Sequence, residues 1–164
     1  MRRKGKLLFL CGKMAAGKST LARKLAAQED AVLLVQDALL DTLYPGAIVN
    51  VATYLEYSGR VNRMVAPQVG EILARGVSVV LDFPGNTRNQ RAWFRGIIDR
   101  AGVEHELHFV DTPDDVSKAQ LRERSAHLPP GTPWTSEADF DLIASHFTPP
   151  AADEGFTVIV HARR

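Results

Sequence analysis

Hydrophobic residues fall along this chain in short runs that alternate with segments of helical spacing. Lys6-Leu-Leu-Phe-Leu-Cys11 is an apolar run of strand length, and a glycine-rich turn follows it. From about Lys18 to Gln28, Leu21 and Leu25 share one face of a predicted helix. Ala31-Val-Leu-Leu-Val35 is a second apolar run, ending in Gln36-Asp37. After a turn at Tyr44-Pro45-Gly46, apolar residues keep helical spacing from about Asn50 to Arg75. Pro67 is expected to kink or divide this stretch, and Gly76 to close it.

The alternation continues to the end. Val77-Ser-Val-Val-Leu81 is a third strand and ends in Asp82; Phe83 to Asn86 is a loop. A helix is predicted over Asn89 to Ala101, with Gly102 as its C-cap. Leu107-His-Phe-Val110 is a fourth strand. Thr112-Pro113-Asp114-Asp115 opens a helix to about Ser125, its first turn acidic as the helix dipole prefers. Leu128 to Pro133 is irregular, Ser136 to His146 is a short helix, and Phe156-Thr-Val-Ile-Val160 is the last strand. Apolar strands alternating with helices predict an α/β fold with a mostly parallel sheet covered on both faces. Neither a repeat nor a linker interrupts the pattern, so residues 1–164 read as a single domain. Ligands of such sheets sit beyond the carboxyl ends of the strands, where the glycine-rich turn, Asp37 and Asp82 fall.

Composition removes several classes of function. The formal net charge is +1, so no global basic excess calls for a nucleic acid or an acidic membrane surface. The one cysteine, Cys11, excludes an internal disulfide and a cysteine-based metal cluster. The five histidines show no metal-ligand spacing, and His105 and His108 read as ordinary strand residues. The apolar run behind Met1-Arg2-Arg3-Lys4 is too short for a signal peptide, and nothing approaches the ~20 apolar residues of a membrane span. A cytoplasmic protein without a membrane partner is expected.

The chemistry is carried first by Gly12-Lys13-Met14-Ala15-Ala16-Gly17-Lys18-Ser19, which matches the Walker A pattern G-x-x-x-x-G-K-[ST]. The glycines let the backbone curl so that its N–H groups converge on an anion, and the following helix aims its partial positive charge at the same point. Lys18 is expected at the β- and γ-phosphates and the Ser19 hydroxyl on Mg²⁺. Average residue usage gives a chance match in roughly half a per cent of chains this long, before the strand–turn–helix context is counted. Lys13 either helps with phosphate or is solvated.

Asp82, at a strand end, suits the Walker B role of holding Mg²⁺ through water; otherwise it is a turn or cap aspartate. Asp82-Phe-Pro-Gly85 also spells the D-x-x-G of GTPases. Those carry glutamine next, where this chain has Asn86, and an N/T-K-x-D tetrapeptide that occurs nowhere here. ATP is therefore the expected nucleotide. Asp37 can orient an alcohol and accept its proton. Asp41, one helical turn on, is its rival as base, and an N-cap for Ala38 to Leu43 is the plain structural role for Asp37. Arg122 and Arg124 end a helix before the proline-rich stretch, where a mobile lid can swing them over a triphosphate. Arg88 and Arg91 either clamp an anionic substrate or are surface charge. Trp93 and Trp134 read as core or lid packing.

In this order the motifs resemble the small P-loop kinases of the AAA_33 type, similar to gluconate kinase, chloramphenicol phosphotransferase, zeta toxin and the polynucleotide kinase domain. The resemblance rests on Cys11 to Thr20, Gln36-Asp37, Val79-Val-Leu-Asp82 with Asn86 and Arg88, and Val110 to Asp115 leading to Leu121-Arg-Glu-Arg124. It implies a five-stranded parallel P-loop NTPase sheet with a small lid. It implies nucleotide contacts from Gly12 through Thr20 and from Arg124, and Mg²⁺ on Ser19 and Asp82. It further implies that Lys18, Asp37, Arg122 and Arg124 do the catalytic work. Polynucleotide kinases pair the base with an arginine three positions on. Here that residue is Leu40, so a nucleic acid acceptor is not expected. The expected activity is ATP- and Mg²⁺-dependent phosphoryl transfer to a hydroxyl of a small molecule. The alternatives are a nucleoside or toxin-like kinase of the same group and a regulatory ATPase with no acceptor.

Overall fold

The computed structural model describes residues 2–163. Five strands form one parallel sheet: β1 (Leu7–Cys11), β2 (Val32–Val35), β3 (Val79–Asp82), β4 (His105–Asp111) and β5 (Val158–Ala162), in the order β2-β3-β1-β4-β5. Six helices connect them: α1 (Lys18–Gln28), α2 (Gln36–Leu43), α3 (Val51–Ala74), α4 (Arg88–Ala101), α5 (Asp114–Ser125) and α6 (Glu137–Ala144). A single 3-10 turn, Ala152–Glu154, precedes β5. The α/β architecture read from the sequence is the one observed.

β1 lies at the centre and is buried along its whole length, which is why it reads as an unbroken apolar run. Its alternate residues feed two cores. Leu7, Phe9 and Cys11 join Val79, Leu81 and Leu107 under α3 and α4, with the Phe9 ring stacked 4.2 Å from Phe94. Leu8 and Leu10 join Val80 and Val110 under Leu21, Ala22 and Leu25 of α1. The helices thus cover both faces and hold the carboxyl ends of β1, β2 and β3 together at one edge.

Three local features differ from the sequence reading. α3 runs undivided through Pro67, because Val61, Val65, Val69 and Leu73 are buried on one face and tertiary packing holds the helix across the missing hydrogen bond. α4 begins at Arg88, one residue earlier than the apolar spacing indicated, where Thr87 and Gln90 form a reciprocal capping box. The last strand begins at Val158 rather than Phe156, whose ring packs edge-on against Phe9 instead.

Two polar networks replace expected surface or strand residues. His108 is buried, shares a 2.8 Å hydrogen bond with His161 and places its other nitrogen 2.9 Å from Glu106, which pairs in turn with Lys6. It lies in β4 as expected, and both its ring nitrogens are engaged in this network. Burial, and then the charge of neighbouring groups, lowers the His161 pKa, so its ring is neutral at pH 7. Arg91 is neither surface charge nor a substrate clamp: it is fully buried. It pairs with Glu154 at 2.7 Å and donates to the carbonyls of Gly85 and Thr148. This fastens α4 to the segment before β5. Removing one partner of a buried ion pair leaves an uncompensated charge, at a cost of about 3–5 kcal/mol. Glu154→Ala is therefore expected to lower the unfolding free energy by about that amount, measured by urea denaturation. A loss below about 1 kcal/mol, the level of a surface pair, would show that Arg91 does not depend on Glu154.

Candidate functional site

The carboxyl end of β1 passes straight into a turn that cannot be built from ordinary residues. Gly12 and Gly17 have φ of +152° and +105°, and even Ala15 is left-handed at +57°. At Gly12 a Cβ would lie 2.7 Å from the Val110 carbonyl oxygen, so the glycine is required by space as well as by conformation. The turn delivers the chain into α1, whose first regular backbone bond runs from the Leu21 amide to the Gly17 carbonyl. Among the described residues, the amides of Gly17, Lys18 and Ser19 donate to no other protein group, as the first turn of a helix requires. They are the converging donors that an anion needs.

The outer side of the turn is satisfied. The Gly12 amide donates to Asn86 Oδ1 at 2.9 Å, and the buried Thr112 hydroxyl donates to the Ala16 carbonyl at 2.8 Å. Lys18 folds over the loop and donates to the carbonyls of Gly12 and Lys13 at 2.5 and 2.8 Å. Its desolvation outweighs the pull of Asp82 and lowers its pKa to about 8. Lys13, partly exposed, pairs with Asp114 at 2.8 Å, at the start of α5. Met14, Ala15 and Ala16 shape the loop, and Thr20 follows Ser19 in the first turn of α1.

Ser19 donates its hydroxyl to Asp82 Oδ2 at 2.8 Å, across 63 residues of sequence. The register makes this possible, because β3 lies beside β1 and ends one element away from the start of α1. A hydroxyl and a carboxylate brought together beside unpaired amides form the hard oxygen set that Mg²⁺ takes alongside phosphate, so the residues present fit that ion.

Asp37 lies in the first turn of α2, after the Val35 N-cap, and makes no side-chain capping bond. The capping role open to it in the sequence is thus not used. It faces solvent in the cleft while protein crowds its other sides. That desolvation, followed by the charges of Asp82 and Asp41, raises its pKa. Lys18 and Arg124 act on it in the opposite sense, so these five groups lie within electrostatic reach of one another. Arg124 is exposed at the end of α5 and belongs to no ion pair among the described residues. Arg122 is held elsewhere, paired with Glu137 of α6. Arg88 is also tied, by two bonds of 3.0 and 2.9 Å to Asp153. Trp93 is core, stacked on Phe83; Cys11 is buried, and its thiol pKa is pushed up to about 12 by burial.

Three residues of the cradle have a role here that the sequence did not assign. Asn86 and Thr112, which stand within the runs that carry the family resemblance, act through single side-chain bonds to the loop backbone. Arg163, just beyond β5, lays its guanidinium against Gly17, where a Cβ would sit 2.6 Å from its Nη1. Only the sheet order, which brings β5 round beside β4, could have announced it. A cavity of about 430 Å³ lies at the amino ends of the strands, lined by Lys4, Lys6, Gly76 and Glu104 among others. It is remote from the glycine-rich turn, which lies at the opposite end of β1. Among the described residues no helix is long and apolar enough to cross a membrane.

Known structures share the fold. A candidate kinase from Chloroflexus aurantiacus superposes with a TM-score of 0.74 at 21% identity, over 97% of this chain and 88% of that one. The APS kinase of Mycobacterium tuberculosis, in complex with AMPPNP and APS, gives 0.61 at 17% identity over 98% and 91%. A gluconokinase from Sinorhizobium meliloti gives 0.61 at 15% over 100% and 86%. No curated protein sequence matches the chain. Residues 7–150 match the AAA_33 family, an AAA domain. This span takes in the cradle, Asp37, Asp82, Asn86 and both α5 arginines, and the chain accordingly belongs to the AAA_33 family.

Proposed function

We propose that this chain is an ATP- and Mg²⁺-dependent kinase that transfers the γ-phosphate to a hydroxyl of a small molecule. The observation that carries this reading is the position of Asp37. An aspartate bound in no cap or ion pair shares a cleft with Lys18 and with the Ser19–Asp82 pair. Triphosphate binding alone does not need it. A raised pKa brings this carboxylate closer to the operating pH, as a general base requires.

In the reaction the acceptor oxygen attacks the γ-phosphorus, the bond from that phosphorus to the β–γ bridging oxygen breaks, and ADP leaves. The acceptor proton passes to Asp37. The free amides of Gly17, Lys18 and Ser19 and the Lys18 ammonium hold the phosphates and take up the charge that shifts to the leaving oxygen. Ser19 and Asp82 would hold Mg²⁺, which supplies further neutralisation of phosphate charge. Arg124, free at the mouth of the cleft, reaches the phosphates when the segment after α5 closes. Arg122 contributes only by releasing Glu137. The APS kinase and gluconokinase, whose names specify small acceptors, favour this reading over a regulatory ATPase.

Asp37→Asn is expected to leave ATP affinity and melting temperature nearly unchanged while acceptor-dependent transfer falls at least ~10²-fold. Titration calorimetry and a turnover assay read the two quantities separately. A variant that binds ATP and transfers phosphate at the normal rate would remove Asp37 from the chemistry. ATP is expected to out-compete GTP, and a tenfold preference for GTP would reverse that assignment.

The Lys18 pKa sets a pH dependence. Below about 8 the ammonium is present before the nucleotide arrives. Above it, binding must take up a proton, and affinity for ATP–Mg²⁺ is expected to fall by up to about tenfold per pH unit. Calorimetry between pH 6.5 and 9.5 measures this directly. An affinity flat to pH 9.5 would show that Lys18 holds its proton without the phosphates.

A further inference from the structure

Just beyond β5 stands a cation that no group of the protein neutralises. Arg163 follows Ala162, the last residue of β5, and its amide donates to the Asp111 carbonyl at 2.9 Å, so the backbone there continues the ladder with β4. From that anchor the side chain crosses the end of β4 and reaches the turn after β1, two strands away in the sheet. A Cβ on Gly17 would lie 2.6, 2.8 and 3.2 Å from Nη1, Cζ and Nη2. The guanidinium therefore lies against the loop backbone at the residue before Lys18, and the missing Cβ lets it come so close.

Arg163 is half-buried, and among the described residues its guanidinium enters no ion pair and donates no hydrogen bond. His161, two residues earlier, offers no negative charge: burial first, then His108, Arg163 and Lys24, lower its pKa. The surroundings of Gly17 are positive as well. The N-terminus of α1 carries partial positive charge, and Lys18 is the next residue. A cation against that end of a helix is electrostatically unfavourable, and it becomes favourable when an anion enters between them. A neutral side chain of similar length would fill the same space without that cost.

The sheet order says which part of the anion Arg163 meets. β2 and β3 lie on one side of β1 and lead to Asp37 and Asp82, so the γ-phosphate of the proposed reaction faces that side. β4 and β5 lie on the other side, which leaves the nucleoside end of the triphosphate there. We propose that Arg163 is a nucleotide-binding residue whose guanidinium pairs with the α-phosphate, from the side of the cradle opposite Asp37 and Asp82. This rests on the kinase reading only in taking the cradle to hold a nucleoside triphosphate. Lys18 and Arg124 are then left to the β- and γ-phosphates. The α-phosphate takes no part in the transfer, so Arg163 holds substrate and ADP alike.

The test compares the full chain with Arg163→Gln and Arg163→Lys by titration calorimetry, using AMPPNP–Mg²⁺ and ADP–Mg²⁺. In Arg163→Gln both nucleotides are expected to weaken by the same factor, about tenfold or more, the worth of one hydrogen bond to a charged group. Arg163→Lys is expected to recover most of that affinity, because an ammonium serves phosphate as a point charge. Without nucleotide, Arg163→Gln should melt at the wild-type temperature or above it, since a cation has left the helix N-terminus. Unchanged affinity for both nucleotides overturns the inference and leaves the kinase reading standing; a lowered melting temperature beside it makes Arg163 a packing residue. A loss confined to AMPPNP overturns the α-phosphate assignment and moves Arg163 to the γ-phosphate. A lysine variant as weak as the glutamine one also overturns it, in favour of stacking on the base. Wild-type protein that binds neither nucleotide overturns both readings.

Discussion

The site depends on one asymmetry in hydrogen bonding at the turn from β1 to α1. Buried or half-buried backbone groups ordinarily find partners, and leaving one without costs about as much as a lost hydrogen bond. On its outer side this turn obeys the rule, through Asn86 on the Gly12 amide and Thr112 on the Ala16 carbonyl. On its inner side it breaks the rule at Gly17, Lys18 and Ser19. The outer bonds hold the loop in left-handed conformations that would otherwise relax, and so keep the inner amides pointed at an anion. Asn86 also hands its own carbonyl to the Thr148 amide, and its amide to Gln90. The cradle is thereby joined to α4 and to the segment that Arg91 and Glu154 fasten.

How much of this the sequence disclosed follows from how local each feature is. The Walker A spacing, the strand runs and the helix faces are set by residues within a few positions of one another, and the fold and cradle could be read from them. Asp82 and Asp37 could be placed because strand ends in parallel sheets gather at one edge. What could not be read was long-range and carried by single side chains. Thr112 to Ala16 spans 96 residues, and His108 to His161 spans 53. Arg91 stood open between a substrate clamp and surface charge because its partner, Glu154, lies 63 positions away in a segment with no pattern of its own. Lys13 was ambiguous for the same reason, since only the packing of α5 brings Asp114 to it. Pro67 shows the opposite case. A local rule allowed a kink or a division, and the long apolar face of α3 carries the helix through undivided.

Charges of both signs meet around Asp37. Burial raises its pKa first, the carboxylates of Asp82 and Asp41 raise it further, and Lys18 and Arg124 lower it. The N-terminus of α1 adds its partial positive charge at the turn from β1.

The strand order also has a consequence for how the molecule comes into being. β1 carries the nucleotide loop at its end, yet its neighbours are β3 and β4, whose paired residues begin 72 and 98 positions later. Bringing such distant segments together costs loop entropy before any contact repays it, and topologies of this kind fold slowly. During synthesis β1 and its loop emerge before β3 and β4, and β1 waits as an apolar strand with both edges bare until those partners have followed. Arg163, which packs on Gly17, follows all five strands. A growing chain thus carries its nucleotide motif long before it has a nucleotide site, and during that interval the exposed edges of β1 are its main hazard for misassociation.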